Sequence, residues 1–216
     1  MNTFRRNISQ FYNVPFILET LRQVFPSLSR IAQKAQALEQ NQEIIRLKRG
    51  MYIANPQCNN NILVTELIAN HIYGPSYVSM ESALRFYGLI PEMVFNSISL
   101  TTGTARTYHN DVGTFRYIHC NKQYFSIGLT YAQCEGTSFI IATPEKALCD
   151  KIIFTPNLNL RYRSEIATFL EEDLRFDTYE LANFNLDIIH QCATKGRKKA
   201  SITQLINYIT HEYHHL

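Results

Sequence analysis

The sequence lacks the features that direct a chain into or across a membrane. No apolar run approaches the roughly 18 residues that span a bilayer as a helix. Residues 1–7 also lack the apolar core of a signal peptide. We therefore expect a cytoplasmic protein with no membrane partner.

Cysteine is sparse and badly spaced for cross-links or metal ligation. The five cysteines are Cys58, Cys120, Cys134, Cys149 and Cys192, and no two form a CxxC pair. The odd number and the wide spacing argue against a disulfide framework and against a zinc site. Buried free thiols are the better expectation.

The short motifs that carry catalytic or cofactor chemistry are also missing. There is no GxSxG, HExxH, P-loop or GxGxxG pattern. Thirteen tyrosines without a tryptophan form no stripe on which bases would stack. His211, His214 and His215 have a helical spacing that suits a metal, but they fall in the final turn, where fraying is usual. We expect no enzyme activity and no cofactor or metal.

What the sequence does have is an uneven distribution of charge. Residues 1–55 contain eight Lys and Arg against three acids, a surplus of +5. Residues 56–150 contain five against seven, and residues 151–216 contain eight of each. A local cationic face favours an anionic partner such as DNA phosphate.

A basic hairpin over 44–53 is the most informative segment. Two β-prone runs flank a turn in which Gly50 can supply the positive φ of a tight hairpin. Arg46, Lys48 and Arg49 surround Leu47, and strand alternation predicts that Arg46 and Lys48 point to the same face. The hairpin is either a wing that contacts DNA or a solvated surface turn.

Two helices are predicted before this hairpin. Pro15 suits a helix start, and an apolar stripe follows it as far as Pro26. Ser27 or Ser29 suits the cap of a second helix that runs to about Gln40, with residues 28, 31, 35 and 38 on its buried face. This order of elements suits a winged-helix DNA-binding unit. The residues predicted to contact DNA are Arg30, Gln33, Lys34, Gln36, Arg46, Lys48 and Arg49.

The whole chain is predicted to have an α+β fold. A polar segment over 55–61 separates a winged-helix-like domain, residues 1–58, from a second domain, residues 59–216. In the second domain, β-prone runs and turn residues over 77–142 predict an antiparallel sheet. Thr143 and Pro144 form a strong helix start, and residues 143–216 are predicted to be helical.

Helix chemistry alone explains several polar residues of the second domain. Ser79 suits an N-cap, and Glu81 with Arg85 has the spacing of a helical ion pair. Glu145 and Lys146 likewise suit a helix start. A further basic cluster is either a solvated loop near a helix end or an auxiliary surface for phosphate or an acidic partner. Its residues are Lys195, Arg197, Lys198 and Lys199.

Three ordered blocks of the chain resemble the AbiEi family of antitoxins. They are the basic hairpin at 44–52 and the segments 77–92 and 141–150, and the similarity extends over about residues 15–155. The resemblance implies an N-terminal winged-helix domain that binds operator DNA and represses its own operon. It also implies a C-terminal domain that acts as antitoxin against a nucleotidyltransferase-like toxin.

The leading hypothesis is therefore a DNA-binding autoregulator that is the antitoxin of a toxin–antitoxin pair. One alternative is a protein-interaction module in which the winged helix is structural and the second domain holds a toxin or another protein. The other alternative is an enzyme with an unrecognised site that acts on nucleic acid. Such an enzyme would need clustered polar groups with perturbed pKa values in a deep cleft.

Overall fold

The N-terminal part of the chain combines two helices with a three-stranded sheet. The computed structural model describes residues 11, 13–27, 29–58, 60–91 and 96–213. Within these residues, the first helices and strands are β1 (Phe16–Ile17), α1 (Leu18–Val24), α2 (Ile31–Gln40), β2 (Ile44–Lys48) and β3 (Met51–Ala54). Strand β3 lies between β1 and β2, and both of its pairings are antiparallel. We call β1 to β3 the N-terminal unit.

The predicted starts of both N-terminal helices are wrong. Phe16 and Ile17 pair with β3 in the sheet, so the first helix begins at Leu18 and not at Pro15. A strand of two residues is too short to show strand alternation, and its partner is distant in sequence. The second helix begins at Ile31 with Arg30 at the N-cap position and without a side-chain capping bond.

The predicted buried face of the second helix is confirmed where the structure describes it. Ile31, Ala35 and Leu38 are buried, whereas residue 28 lies outside the described residues. These three buried residues contribute to a small hydrophobic core that is separate from the main core. Its buried members are Phe16, Leu21, Ile31, Ala35, Leu38, Ile44, Tyr52 and Ala54.

The larger part of the chain is built on a six-stranded sheet with helices around it. Its strands are β4 (Ser76–Val78), β5 (Asn96–Thr101), β6 (Arg106–Asn110), β7 (Gly113–His119), β8 (Leu129–Cys134) and β9 (Thr137–Ala142). Its helices are α3 (Thr65–Ile72), α4 (Met80–Phe86), α5 (Lys122–Phe125), α6 (Pro144–Phe154), α7 (Arg163–Thr168), α8 (Leu186–Lys195) and α9 (Lys199–Tyr213). The predicted α+β class and the helical character after residue 143 are confirmed.

The sheet is mixed and not antiparallel, which corrects the sequence prediction. Its order is β6-β7-β5-β4-β9-β8, and the pairs β5–β7 and β4–β9 are parallel. The β6–β7 hairpin folds back so that its second strand lies against β5, and this makes those two strands parallel. Turn residues reveal a hairpin, but they do not reveal which of its strands becomes the inner one.

Helix α6 begins as the sequence predicts. Thr143 is its N-cap and accepts a hydrogen bond from the Lys146 backbone N–H at 3.5 Å, and Pro144 occupies the first turn. Downstream, a π-helical turn (Phe169–Asp173) follows α7, and a 3₁₀ helix (Thr178–Asn183) precedes α8. Among the helices that the structure describes, none has the length and apolar character needed to cross a membrane.

The basic hairpin joins the N-terminal unit to the larger part of the chain. Leu47 and Ile53 are buried in the main core, whereas Ile44 and Tyr52 belong to the small one. The side chain of Asn110 donates to the Leu47 carbonyl at 2.9 Å. The hairpin therefore packs on both sides, and the division of the chain at residue 58 stays a prediction.

Candidate nucleic-acid interface

The outward face of α2 carries uncharged polar side chains. Gln33 and Gln36 are exposed, on the side of the helix opposite to Ala35 and Leu38. Arg30 is exposed at the N-cap position of the same helix. A glutamine amide can donate to N7 and accept from the N6 amino group of adenine, and a guanidinium can donate to both O6 and N7 of guanine, in a major groove. Among the described residues, none of these three side chains takes part in an ion pair, so this face could contact base edges directly.

Lys34 differs from its neighbours on α2. It is half-buried, and its Nζ lies 5.7 Å from the centroid of the Phe25 ring. A cation over an aromatic face gains about 0.5–1 kcal/mol at an exposed site. Lys34 thus faces α1 as well as solvent, and it is less available to a ligand than Gln33 or Gln36.

Arg46 is engaged by two neighbours. Its Nη2 lies 2.5 Å from Glu39 Oε2, and its guanidinium lies 5.9 Å from the centroid of the Tyr52 ring. About half of the Arg46 side chain remains exposed, at 48%. Exposed ion pairs contribute about 0.2–1 kcal/mol, so a phosphate can displace Glu39 at small cost.

Lys48 does not point outward beside Arg46. A register shift lies between the two residues, and Lys48 Nζ donates to the Ile72 carbonyl at the end of α3, at 2.5 Å. The prediction that the two cations share one face is therefore wrong. Through this hydrogen bond, the Lys48 ammonium links the hairpin to the larger part of the chain.

Arg49 is the most available cation of the hairpin. It is exposed at the turn beside Gly50, whose φ is +74°. Within the part of the chain that the structure describes, its guanidinium has no hydrogen-bond or ion-pair partner. The three cations of the turn thus have three different environments, and Arg49 is the one that an anionic group could pair with without displacing a partner from the described residues.

The second basic cluster is partly structural. Lys198 Nζ donates to the carbonyls of Ile152 and Thr155 at 3.0 and 2.6 Å, at the end of α6, and burial lowers the pKa of this amine. The remaining members, Lys195, Arg197 and Lys199, are exposed. Among the described residues, no hydrogen bond or ion pair links this cluster with the basic hairpin.

A buried polar cluster is the feature that sequence reasoning missed. Asp150 and Lys146 are both fully buried and form an ion pair with Lys146 Nζ 2.9 Å from Asp150 Oδ1. Tyr124 Oη donates to the same carboxylate oxygen at 2.6 Å. Ser79 Oγ and Tyr77 Oη donate to the other oxygen at 2.6 and 3.1 Å. We call these five residues the Asp150 cluster.

Electrostatics keep the tyrosines of this cluster protonated. Burial first, and then the Asp150 carboxylate, raise the pKa of Tyr77 and of Tyr124 well above the ordinary value. Each hydroxyl therefore stays a hydrogen-bond donor to Asp150. Because the carboxylate has four donors, the cluster is a satisfied buried network of the kind that stabilises a core. The i,i+4 spacing of Lys146 and Asp150 on a largely apolar helix was the sequence signal.

The structure confirms the predicted N-cap position of Ser79 and contradicts the predicted ion pair between Glu81 and Arg85. Ser79 stands at the N-cap position of α4, but it makes no capping bond because its hydroxyl is used by Asp150. Glu81 and Arg85 do not pair with each other. Glu81 accepts from Lys151 of α6, and Arg85 lies 3.8 Å from Glu66 of α3. Tertiary contacts thus replace the expected local ones.

The described residues offer no evident metal site. Among them, no group of three or more His, Cys, Asp or Glu side chains converges as metal ligands would. His211 is bonded to Glu212, and residues 214 and 215 lie outside the described part of the chain. Cys120, Cys149 and Cys192 are buried free thiols, as expected, and Cys58 and Cys134 are half-buried.

Comparison with known proteins adds no assignment. No family model matches the chain, and no curated protein matches it. The resemblance to the AbiEi family therefore stays a prediction that rests on the three blocks quoted above.

Proposed function

We propose that the N-terminal unit binds double-stranded DNA and that the protein regulates transcription of its own operon. The outward face of α2, with Gln33, Gln36 and Arg30, enters the major groove. The hairpin tip contacts the backbone through Arg49, and through Arg46 once it leaves Glu39. The exposed, uncharged polar face of α2, with the exposed Arg30 at its N-cap position, is the observation that carries this proposal.

The order and pairing of the elements support the same function. A short strand, two helices and a hairpin follow one another, and the first strand pairs with the last. A winged helix-turn-helix has this arrangement, with the second of these helices in the groove and the hairpin as wing. The charge surplus of +5 over residues 1–55 supplies the electrostatic attraction.

The larger part of the chain has the antitoxin role in this proposal. Its partner is a nucleotidyltransferase-like toxin, as the resemblance to the AbiEi family implies. No catalytic step is assigned to the chain, and a cytoplasmic location follows from the DNA target. Expression with the product of the adjacent gene, followed by co-purification, tests the partner claim separately from DNA binding.

A gel-shift experiment tests the DNA claim. We expect the protein to retard a duplex taken from upstream of its own gene, and to prefer it over a scrambled duplex. Replacing Gln33 and Gln36 with Ala removes base contacts worth about 1–3 kcal/mol each, so the preference should fall at least tenfold. Gln191→Ala, at an exposed position of α8, is the matched control. Absence of a shift at low salt would refute the proposal.

The inward orientation of Lys48 favours one alternative function. With Lys48 bonded to Ile72, and with Leu47 and Ile53 in the main core, the hairpin also serves as structure. If that is its whole role, the protein is an interaction module without DNA affinity. Co-purification with the neighbouring gene product, combined with no gel shift, would establish this alternative.

A further inference from the structure

A groove lies between the N-terminal unit and the larger part of the chain. It has a volume of about 480 Å³. One wall comes from the end of α2 and the start of β2, and the other from the segment after β3 and the turn between β6 and β7. Glu39, Ile45, Asn55, Leu63, Asp111 and Val112 are among its lining residues. We call it the junction groove.

The charged side chains among the described residues that line the junction groove are all acidic. Glu39 and Asp111 contribute carboxylates, and the described residues of its lining include no Lys, Arg or His. Asp111 is exposed and, among the described residues, has no hydrogen-bond or ion-pair partner. Glu39 already holds a guanidinium, that of Arg46. The groove therefore offers one unpaired carboxylate and one that the protein itself pairs with a cation.

The groove also has an apolar surface. Ile45, Leu63 and Val112 are half-buried against the main core and leave part of their surface to the groove. Small-molecule sites typically have volumes of about 300–1,000 Å³, combine an apolar lining with a few polar groups, and favour domain junctions. Carboxylates beside aliphatic side chains suit a cation on a short hydrocarbon chain.

We propose that the junction groove binds an aliphatic diamine. One ammonium group pairs with Asp111, the other competes with Arg46 for Glu39, and the methylene chain lies on the aliphatic side chains. This site is separate from the face of α2 and from the hairpin tip. Its effect on DNA binding, the release of Arg46 for phosphate, rests on the proposed function, whereas diamine binding does not.

Ligand-observed NMR with the full chain and no DNA tests the proposal. The probes are cadaverine, an aliphatic diamine, and two matched compounds, the dianion glutarate and the neutral pentanediol. We expect saturable binding of cadaverine alone. Because DNA is absent, a failure here is distinct from a failure of the proposed function.

Variants then locate the site. Asp111→Asn removes a hydrogen bond to a charged group, so cadaverine affinity should fall about tenfold. Glu172→Gln, an exposed acid remote in sequence, is its control and should leave the affinity unchanged. Arg46→Ala removes the competitor for Glu39, so affinity should rise about two- to fivefold. Arg49→Ala is the control for that gain.

Three results would overturn the proposal. One is an absence of cadaverine binding by the wild-type chain. Another is equal binding of glutarate or pentanediol, since the site would then not select a cation. The third is an equal loss of affinity in Asp111→Asn and Glu172→Gln, which would mean that the diamine responds to net charge and not to the groove.

Discussion

At the scale of single residues, the buried Asp150 carboxylate is held by four hydrogen-bond donors. Its two oxygens accept hydrogen bonds from Lys146 in α6, Tyr124 in α5, Tyr77 in β4 and Ser79 at the N-cap of α4. A buried charge is tolerated only when it is paired and hydrogen-bonded, and four donors meet that requirement here. The cluster therefore fixes how α6 lies against β4 and α5.

Removal of the positive partner should be costly. Lys146→Met keeps the length of the side chain but leaves Asp150 buried without its counter-charge, so we expect a loss of about 3–5 kcal/mol in the free energy of unfolding. Urea titration followed by circular dichroism measures this. Lys122→Met, at an exposed lysine, should change stability by less than about 0.5 kcal/mol. Similar losses in both variants would contradict a structural role for the pair.

Tyr87 should make stability sensitive to alkaline pH. Burial first, and then Glu145, raise its pKa to about 12 from 10.0, and its hydroxyl donates to the Ala142 carbonyl at 3.0 Å. Because the pKa of Tyr87 is higher in the folded state than in the unfolded state, the stability that its hydroxyl contributes is fully present below the unfolded-state pKa. That stability is lost as the pH rises through the folded-state pKa. The advantage of wild type over Tyr87→Phe should thus shrink between pH 10.0 and about 12. An advantage that stays constant over this range in urea titrations would refute the assignment.

At the scale of elements, the basic hairpin is a layer with a core on each side. Tyr52 and Ile53 are neighbours in β3 and point into different cores, as strand alternation requires. Ile45 and Leu47 of β2 face the main core by the same alternation, which the register shift between Arg46 and Lys48 then interrupts. The strand alternation of the sequence predicts the first fact, but it cannot show an irregularity such as the second.

Truncation of Leu47 should uncouple the hairpin. It is 2% exposed in the main core, and Leu→Ala at such a site costs about 2–5 kcal/mol. In Leu47→Ala, hydrogen exchange should speed up in β2 and β3 more than in β8 and β9. Ile62→Ala, at a residue that is 61% exposed, serves as the control. Uniform acceleration across both regions would mean that Leu47 supports the whole core and not the hairpin in particular.

The six-stranded sheet shows which strand pairings can be predicted from the sequence and which cannot. The β6–β7 and β8–β9 hairpins follow from turn residues that lie close in sequence. The pairing of Val78 with Ile141 joins residues too distant in sequence for any local pattern to predict it. Thr143 and Pro144 predict the start of α6 because capping is a local interaction.

At the scale of the whole molecule, the candidate interface also combines features that local sequence predicts with contacts between residues distant in sequence, which it does not predict. The exposure of Gln33, Gln36 and Arg49 was predictable from helix periodicity and from the turn. The inward bonds of Lys48 and Lys198 were not, because their carbonyl partners belong to distant helices. The distribution of charge along the chain thus indicates the cationic end that we propose faces DNA, but only the fold distinguishes the cations that remain available.

The central claim is that the N-terminal unit binds DNA through the hairpin tip, and the salt dependence of binding tests it most directly. Fluorescence anisotropy with the upstream duplex, repeated over a range of salt concentrations, gives the slope of log affinity against log salt. Each phosphate contact contributes about −0.9 to this slope, so Arg49→Ala should make it shallower by about 1, whereas Arg161→Ala, an exposed control, should not. Identical slopes for wild type and Arg49→Ala would contradict the claim.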